Sequence, residues 1–287
     1  MRYSIAFVAA ALASSVSAHG VITQVQGANG VNMPGLSAID GTPRDSGNPL
    51  SGSEADTSII RAKEMGGKAS ALGRTQGGGP VDAGAAIAQF MGTGGAGGAA
   101  AANKKRGLLD ALTGGKGGKA AGGAAAGTKT PKGTKEAGVA AAAGQGAASG
   151  LPTTADDGTV TMTFHQVNQD GAGPLTAQID ATSGGTDPAA FQDATVTQDV
   201  PGIGIGGLSA AAVMDFPVKV QMPQGMTCQG TAGGAQNVCV VRMMNAALAG
   251  PFGGSAAFTQ STQAKKRAVE YNLRKRHMAR GILGKPE

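Results

Sequence analysis

Residues 92–150 constrain the fold more than any single motif does. They are mostly Gly, Ala, Lys and Thr, with no sustained apolar period. Runs such as Gly114-Gly115-Lys116-Gly117-Gly118-Lys119 have much ordering entropy to lose and little apolar surface to bury, so the segment is predicted to be a disordered insert. With 50 Gly, no Trp and aromatics at 3% of 287 residues, one dense core over the whole length is excluded. The expected organisation is a single domain over 19–260, interrupted by the insert and extended at both ends.

The N-terminal extension reads as a signal peptide, residues 1–18. Arg2 supplies a positive start, Ile5 to Ala13 form an apolar run, and Val16-Ser17-Ala18 has the small-residue pattern of a cleavage site. A secreted chain beginning at His19 is the consequence. No later stretch has the length and apolarity of a membrane span, so no transmembrane segment is expected in the mature chain. The C-terminal extension, residues 261–287, is a basic tail with eight Lys/Arg against Glu270 and Glu287, which accounts for all of the chain's +6. The body is therefore neutral, and the net charge does not argue for nucleic acid as a partner. The tail is expected to be a solvated, partly helical extension, open to binding an anionic surface or to trimming at Lys266-Arg267 or Lys275-Arg276.

Between the extensions the patterning is β. Val160 to Val167, Leu175 to Ala181, Asp215 to Met222, Val238 to Met243 and Ala256 to Gln260 are short strand-like runs between Gly, Pro, Asn and Asp punctuation. This spacing predicts an antiparallel β-sandwich, with Ala85 to Met91 and Leu208 to Met214 as short helices. Cys228 and Cys239 are the only thiols of a chain read as secreted, so they are expected to form a disulfide. The run Gly202 to Gly207 matches GxGxxG, but no βαβ unit surrounds it and no acidic residue follows at the needed distance, so it reads as a loop rather than a dinucleotide site.

The three histidines carry the chemistry. After removal of 1–18, His19 combines an α-amine and a ring Nδ1 in one residue, a chelator for one metal ion; unperturbed pKa values of about 7.7–8.0 and 6.5 let both nitrogens release protons near neutrality. A second imidazole would complete an all-nitrogen set suited to Cu(II). His165 is on the strand face opposite Met162, Phe164 and Gln166, whereas His277 is among Arg274, Lys275 and Arg276, which repel a cation. Metal ligands are therefore expected at His19 and His165. The plainer reading is a terminal residue left by the cleavage site and an ordinary strand histidine. For an axial aromatic neighbour the reading selects Phe258, with Gln260 two residues on as a hydrogen-bond partner for a copper-bound oxygen species; the plainer reading makes them a core Phe and a surface Gln.

His19-Gly20, Gly78-Gly79-Pro80-Val81-Asp82, residues 159–174 (TVTMTFHQVNQDGAGP), Asp215-Phe216-Pro217, Cys239-Val240-Val241-Arg242 and 250–254 (GPFGG) together resemble the Egh-type family of secreted fungal virulence factors associated with appressoria. Members of that family look like lytic polysaccharide monooxygenases in having an N-terminal histidine and a second histidine on an immunoglobulin-like β-sandwich. The resemblance implies a Cu(II)/Cu(I) histidine brace at His19 and His165, an external reductant, and a β-1,4-linked glycan such as chitin as substrate. The departures are fewer cysteines and Ser255 where a Cys is expected. Two rival functions stand beside the enzyme. One is a non-catalytic copper-binding or wall-associated virulence protein, consistent with the lack of Tyr and Trp between residues 19 and 260; the other is an adhesin acting through the tail.

Overall fold

The computed structural model describes residues 19–94, 126–169, 171–202, 212–247 and 249–283. The signal-peptide reading at 1–18, most of the glycine-rich insert and the run 203–211, which holds most of the GxGxxG and the start of the second expected helix, lie outside the described residues. The chain first lays down β1 (Gly20–Gln26), β2 (Asn32–Pro34), β3 (Ser58–Ile59), β4 (Arg74–Thr75), β5 (Gly79–Pro80) and helix α1 (Ala83–Met91). Next come β6 (Thr128–Lys129), α2 (Gly138–Ala142), α3 (Gly146–Ser149), β7 (Thr159–Gln166), β8 (Thr176–Asp180) and β9 (Phe191–Gln198). The last elements are β10 (Met214–Gln221), β11 (Gly230–Ala232), β12 (Ala235–Met244), β13 (Phe252–Phe258) and helix α4 (Thr262–Leu283).

The expected immunoglobulin-like sandwich is not what forms. The strands make one strongly curled antiparallel sheet, a half-barrel, in the order β2-β1-β7-β10-β9-β8-β12-β13-β3-β4-β5, with β11 on β12 and β6 on β10. The reason is β9. Its first half pairs with β8, from Ala177↔Ala194 to Asp180↔Phe191, and its second half pairs with β10, from Lys219↔Gln198 to Gln221↔Thr195. One strand thus carries the ladder around the bend, where a sandwich would leave two sheets facing each other. Alternating polarity specifies which side of a strand is buried but not how many sheets share that side.

The concave side holds the core. Along β7 the side chains of Val160, Met162 and Phe164 are buried there, each opposite an apolar residue of β10: Val220, Val218 and Phe216. A Cβ at Gly20 would strike the Phe164 ring, so Gly20 leaves the room that ring fills. Cys228 and Cys239 are joined, with a Cα separation of 5.1 Å, and tie the segment before β11 to β12. Part of the segment expected to be disordered is placed: 126–150 carries β6, α2 and α3, and the Asp40 carboxylate accepts from Val139 and Ala140 N–H at 2.9 and 2.7 Å. Those N–H groups open α2, so the Ala-rich sequence gains through a distant cap what it lacks in apolar bulk.

The curl is closed by backbone meeting backbone at Ile22. Gly35 N–H donates to Thr23 O at 2.9 Å, and Leu36 N–H to Ser255 O at 2.8 Å, which draws β13 onto β1. A Cβ at Gly35 would overlap the Ile22 carbonyl oxygen, and one at Gly254 would lie 2.5 Å from Ile22 N. Gly35→Ala and Gly254→Ala should each lower stability by about 3 kcal/mol or more in urea unfolding, whereas Gly67→Ala, whose Cβ meets nothing nearer than 3.8 Å, should stay within about 0.5 kcal/mol.

Candidate functional site

The pairing of β1 with β7 places both sequence-selected histidines on one face. Gly20 is opposite Gln166 and Val21 opposite His165, and Val167 N–H donates to His19 O at 3.0 Å. Gly20 faces Phe164 and the core, so His19, Val21, His165 and Val167 take the outer face. His19 and His165 are then diagonal neighbours across two strands, a spacing of about 7–8 Å between backbones. This face is not open: His19 is 5% and His165 0% exposed.

Each histidine has a carboxylate beside it. His165 Nδ1 lies 2.7 Å from Oδ1 of Asp215, its direct partner on β10. In the neutral ring the Nδ1–H donates and the carboxylate accepts, which leaves Nε2 as the lone-pair nitrogen. Nε2 is buried with no hydrogen-bond partner among the described residues, an uncommon condition for a polar atom. His19 Nδ1 lies 3.1 Å from Glu54 Oε1, and its main-chain N–H donates to Asn168 Oδ1 at 2.8 Å. Asn168 Nδ2 in turn donates to Glu54 Oε1 at 3.0 Å, so the side chain that receives the His19 nitrogen also holds its carboxylate. The His19 ring rests on Phe252 with centroids 4.3 Å apart.

The loop that supplies Glu54 is pinned by a buried ion triad. Arg44 Nη1 donates to Asp56 Oδ1 at 2.9 Å and its Nη2 to Glu136 Oε2 at 2.8 Å, with Asp56 fully buried. Burial works against the Arg44 charge, but the hydrogen bonds and charges of Asp56 and Glu136 outweigh it and hold the guanidinium pKa above its ordinary value. Arg44 and Glu136 also line a polar cleft of about 500 Å³ with Thr23, Thr130, Thr163 and Asp215. Asp215 thus joins the cleft to the buried His165.

The other two selected residues are elsewhere. Phe258 is a buried core side chain at the far end of β13, opposite Cys239 and six residues, roughly 20 Å of strand, from Phe252. Gln260 accepts from Cys228 N–H at 2.9 Å and donates to Met226 O at 2.9 Å, clasping the disulfide loop. Phe252 is the aromatic beside His19, and Glu54 and Asp215 add carboxylates to the face. Local sequence offers little to find them, since Glu54 precedes Asn168 by 114 residues and Asp215 follows His165 by 50.

As a metal site the face fits in one half. His165 Nε2 offers a free lone pair in the neutral ring, while the His19 main-chain nitrogen donates to Asn168 and its Nδ1 lies against Glu54. Among the described residues no group of three or more His, Cys, Asp and Glu side chains converges to hold an ion. Removing one partner from the ion triad tests what pins the Glu54 loop: Asp56→Asn should cost about 3–5 kcal/mol in urea unfolding, and a loss under about 1 kcal/mol would show that the triad does not hold the loop.

A family model described as Egh16-like virulence factor matches residues 17–253. The chain is 60% identical over 299 residues to "Appressoria-specific virulence factor GAS2" of Pyricularia oryzae, covering 98% of this chain and 97% of that protein. It is 41% identical over 131 residues to "Appressoria-specific virulence factor GAS1" of the same fungus, covering 44% of this chain and 51% of that protein. No solved structure matches. The chain belongs to the Egh16-like virulence factor family.

Proposed function

We propose that the chain is a secreted fungal virulence factor that works at the appressorial wall by binding, without cleaving polysaccharide. The observation that carries this reading is the burial of His19 and His165, each against a carboxylate. A centre that attacks an insoluble glycan has to meet the polymer at the surface, and both imidazoles are instead buried, His19 beside Glu54 and His165 beside Asp215.

A second reading is supported by the unpartnered Nε2 of His165. Once residues 1–18 are removed, the His19 amine beside Asn168, its Nδ1 and His165 Nε2 are the donors that would hold copper. Copper held there would supply one-electron redox chemistry toward oxygen, with an external reductant and a β-1,4-linked glycan such as chitin. Asp215 would keep the His165 lone pair directed away from β10, and Glu54 would have to yield Nδ1.

The two readings separate in one assay. The mature protein is incubated with chitin, copper and ascorbate, and the bound fraction and soluble products are measured. Retention on the polysaccharide without oxidised oligosaccharides is expected. Release of oxidised oligosaccharides that disappears in His165→Ala, with the variant's thermal midpoint checked alongside, would replace the binding reading with the enzymatic one.

A further inference from the structure

Helix α4 spans about 33 Å and leaves the body partway along its length. Its first half is anchored. Ser261 Oγ accepts from Ala264 N–H at 3.1 Å and donates to Asp156 Oδ1 at 2.9 Å, Ala264 and Ala268 are buried, and Asn272 Nδ2 donates to Gly225 O at 2.8 Å. From Leu273 to Met278 every residue is exposed. The side away from the body carries Val269 and Leu273, 44% and 46% exposed, one helical turn apart. Lys265 and Lys266 precede this pair by a turn, and Arg276 and His277 follow it by a turn, all exposed. Glu270 is the single acidic residue of the helix.

The geometry points to α4 as a docking surface for an anionic phospholipid leaflet, with the helix lying along the membrane surface. Charge complementarity names the sign of the partner, since the tail holds all of the net charge on an otherwise neutral chain. The apolar pair names its kind. A hydrated polyanion gives Val269 and Leu273 nothing to enter, whereas the boundary between headgroups and acyl chains takes both them and the flanking cations. The contact is lateral, because no described helix is long and apolar enough to cross a membrane. The surface is distant in sequence from the histidine face and does not depend on the function proposed for it.

The test is flotation of the mature full chain with vesicles of phosphatidylcholine alone or mixed with phosphatidylserine, with immobilised heparin as a polyanion that lacks an apolar layer. The chain should float only with the anionic vesicles, and added salt should weaken binding. Combined Lys265→Gln, Lys266→Gln and Arg276→Gln should reduce vesicle affinity about a hundredfold. Combined Val269→Ser and Leu273→Ser should reduce it about tenfold while leaving heparin binding unchanged. These side chains are exposed, with Lys265 Nζ donating to Asn237 Oδ1 at 3.3 Å, and unchanged far-ultraviolet circular dichroism verifies that the fold is kept. Failure to float with anionic vesicles overturns the proposal, as does a double serine variant that binds vesicles like the parent, which would mark α4 as a charge-only polyanion binder.

Discussion

The approach of β13 to β1 at Ile22 is the contact on which the rest of the molecule depends. Strands packed face to face are normally held about 10 Å apart by their side chains. Here Gly35 and Gly254 have none, one against the Ile22 carbonyl and one against its nitrogen. The sheet can then curl until its first strand meets its last long one. That closure encloses the apolar side chains of β7, β10, β12 and β13, and it brings Phe252 under the His19 ring. A chain so poor in large aromatics gains its core by wrapping tightly around Phe164, Phe216, Met162 and a set of Val and Ile, rather than by filling a wide interval between two sheets.

Closure also decides what happens on the outer face. Burying two imidazoles and several carboxylates is costly unless each finds a partner. The fold supplies these in linked pairs, His165 with Asp215, His19 with Glu54, and Arg44 with both Asp56 and Glu136. Glu54 and Asp56 are on the same short loop, so the ion triad that fixes Arg44 also keeps Glu54 beside His19. Nε2 of His165 is among the buried polar atoms left without a hydrogen-bond partner among the described residues, on a residue that neighbours the polar cleft through Asp215.

Local chemistry is legible in the sequence, and tertiary path is not. The run 160–167 could be read as a strand with His165 facing away from Phe164 because alternation is a property of the strand itself, and β7 has that arrangement over Thr159–Gln166. Two cysteines admit one pairing, and they form it. β9 was not legible: FQDATVTQ is largely polar and only partly buried, so it lacks the apolar alternation that marks a strand, yet it is the strand that turns a would-be sandwich into one continuous sheet. β1 was obscured by an irregularity between Ile22 and Gln24, which interrupts its alternation. Choosing Phe258 over Phe252 turned on which end of β13 crosses β1, a matter of tertiary path. The carboxylates beside the histidines come from partners far along the chain, and no local pattern names them.

Both imidazoles of the outer face are enclosed in the folded protein, and the chain offers its own reference in His277, which is exposed on α4. Deuterium exchange at the imidazole C2 position, read by mass spectrometry on the secreted protein, compares all three rings in one sample. His277 should label rapidly while His19 and His165 remain protected. Labelling of His19 and His165 as fast as His277 would mean that the rings are presented to solvent, and the enclosed, non-cleaving site described here would be wrong.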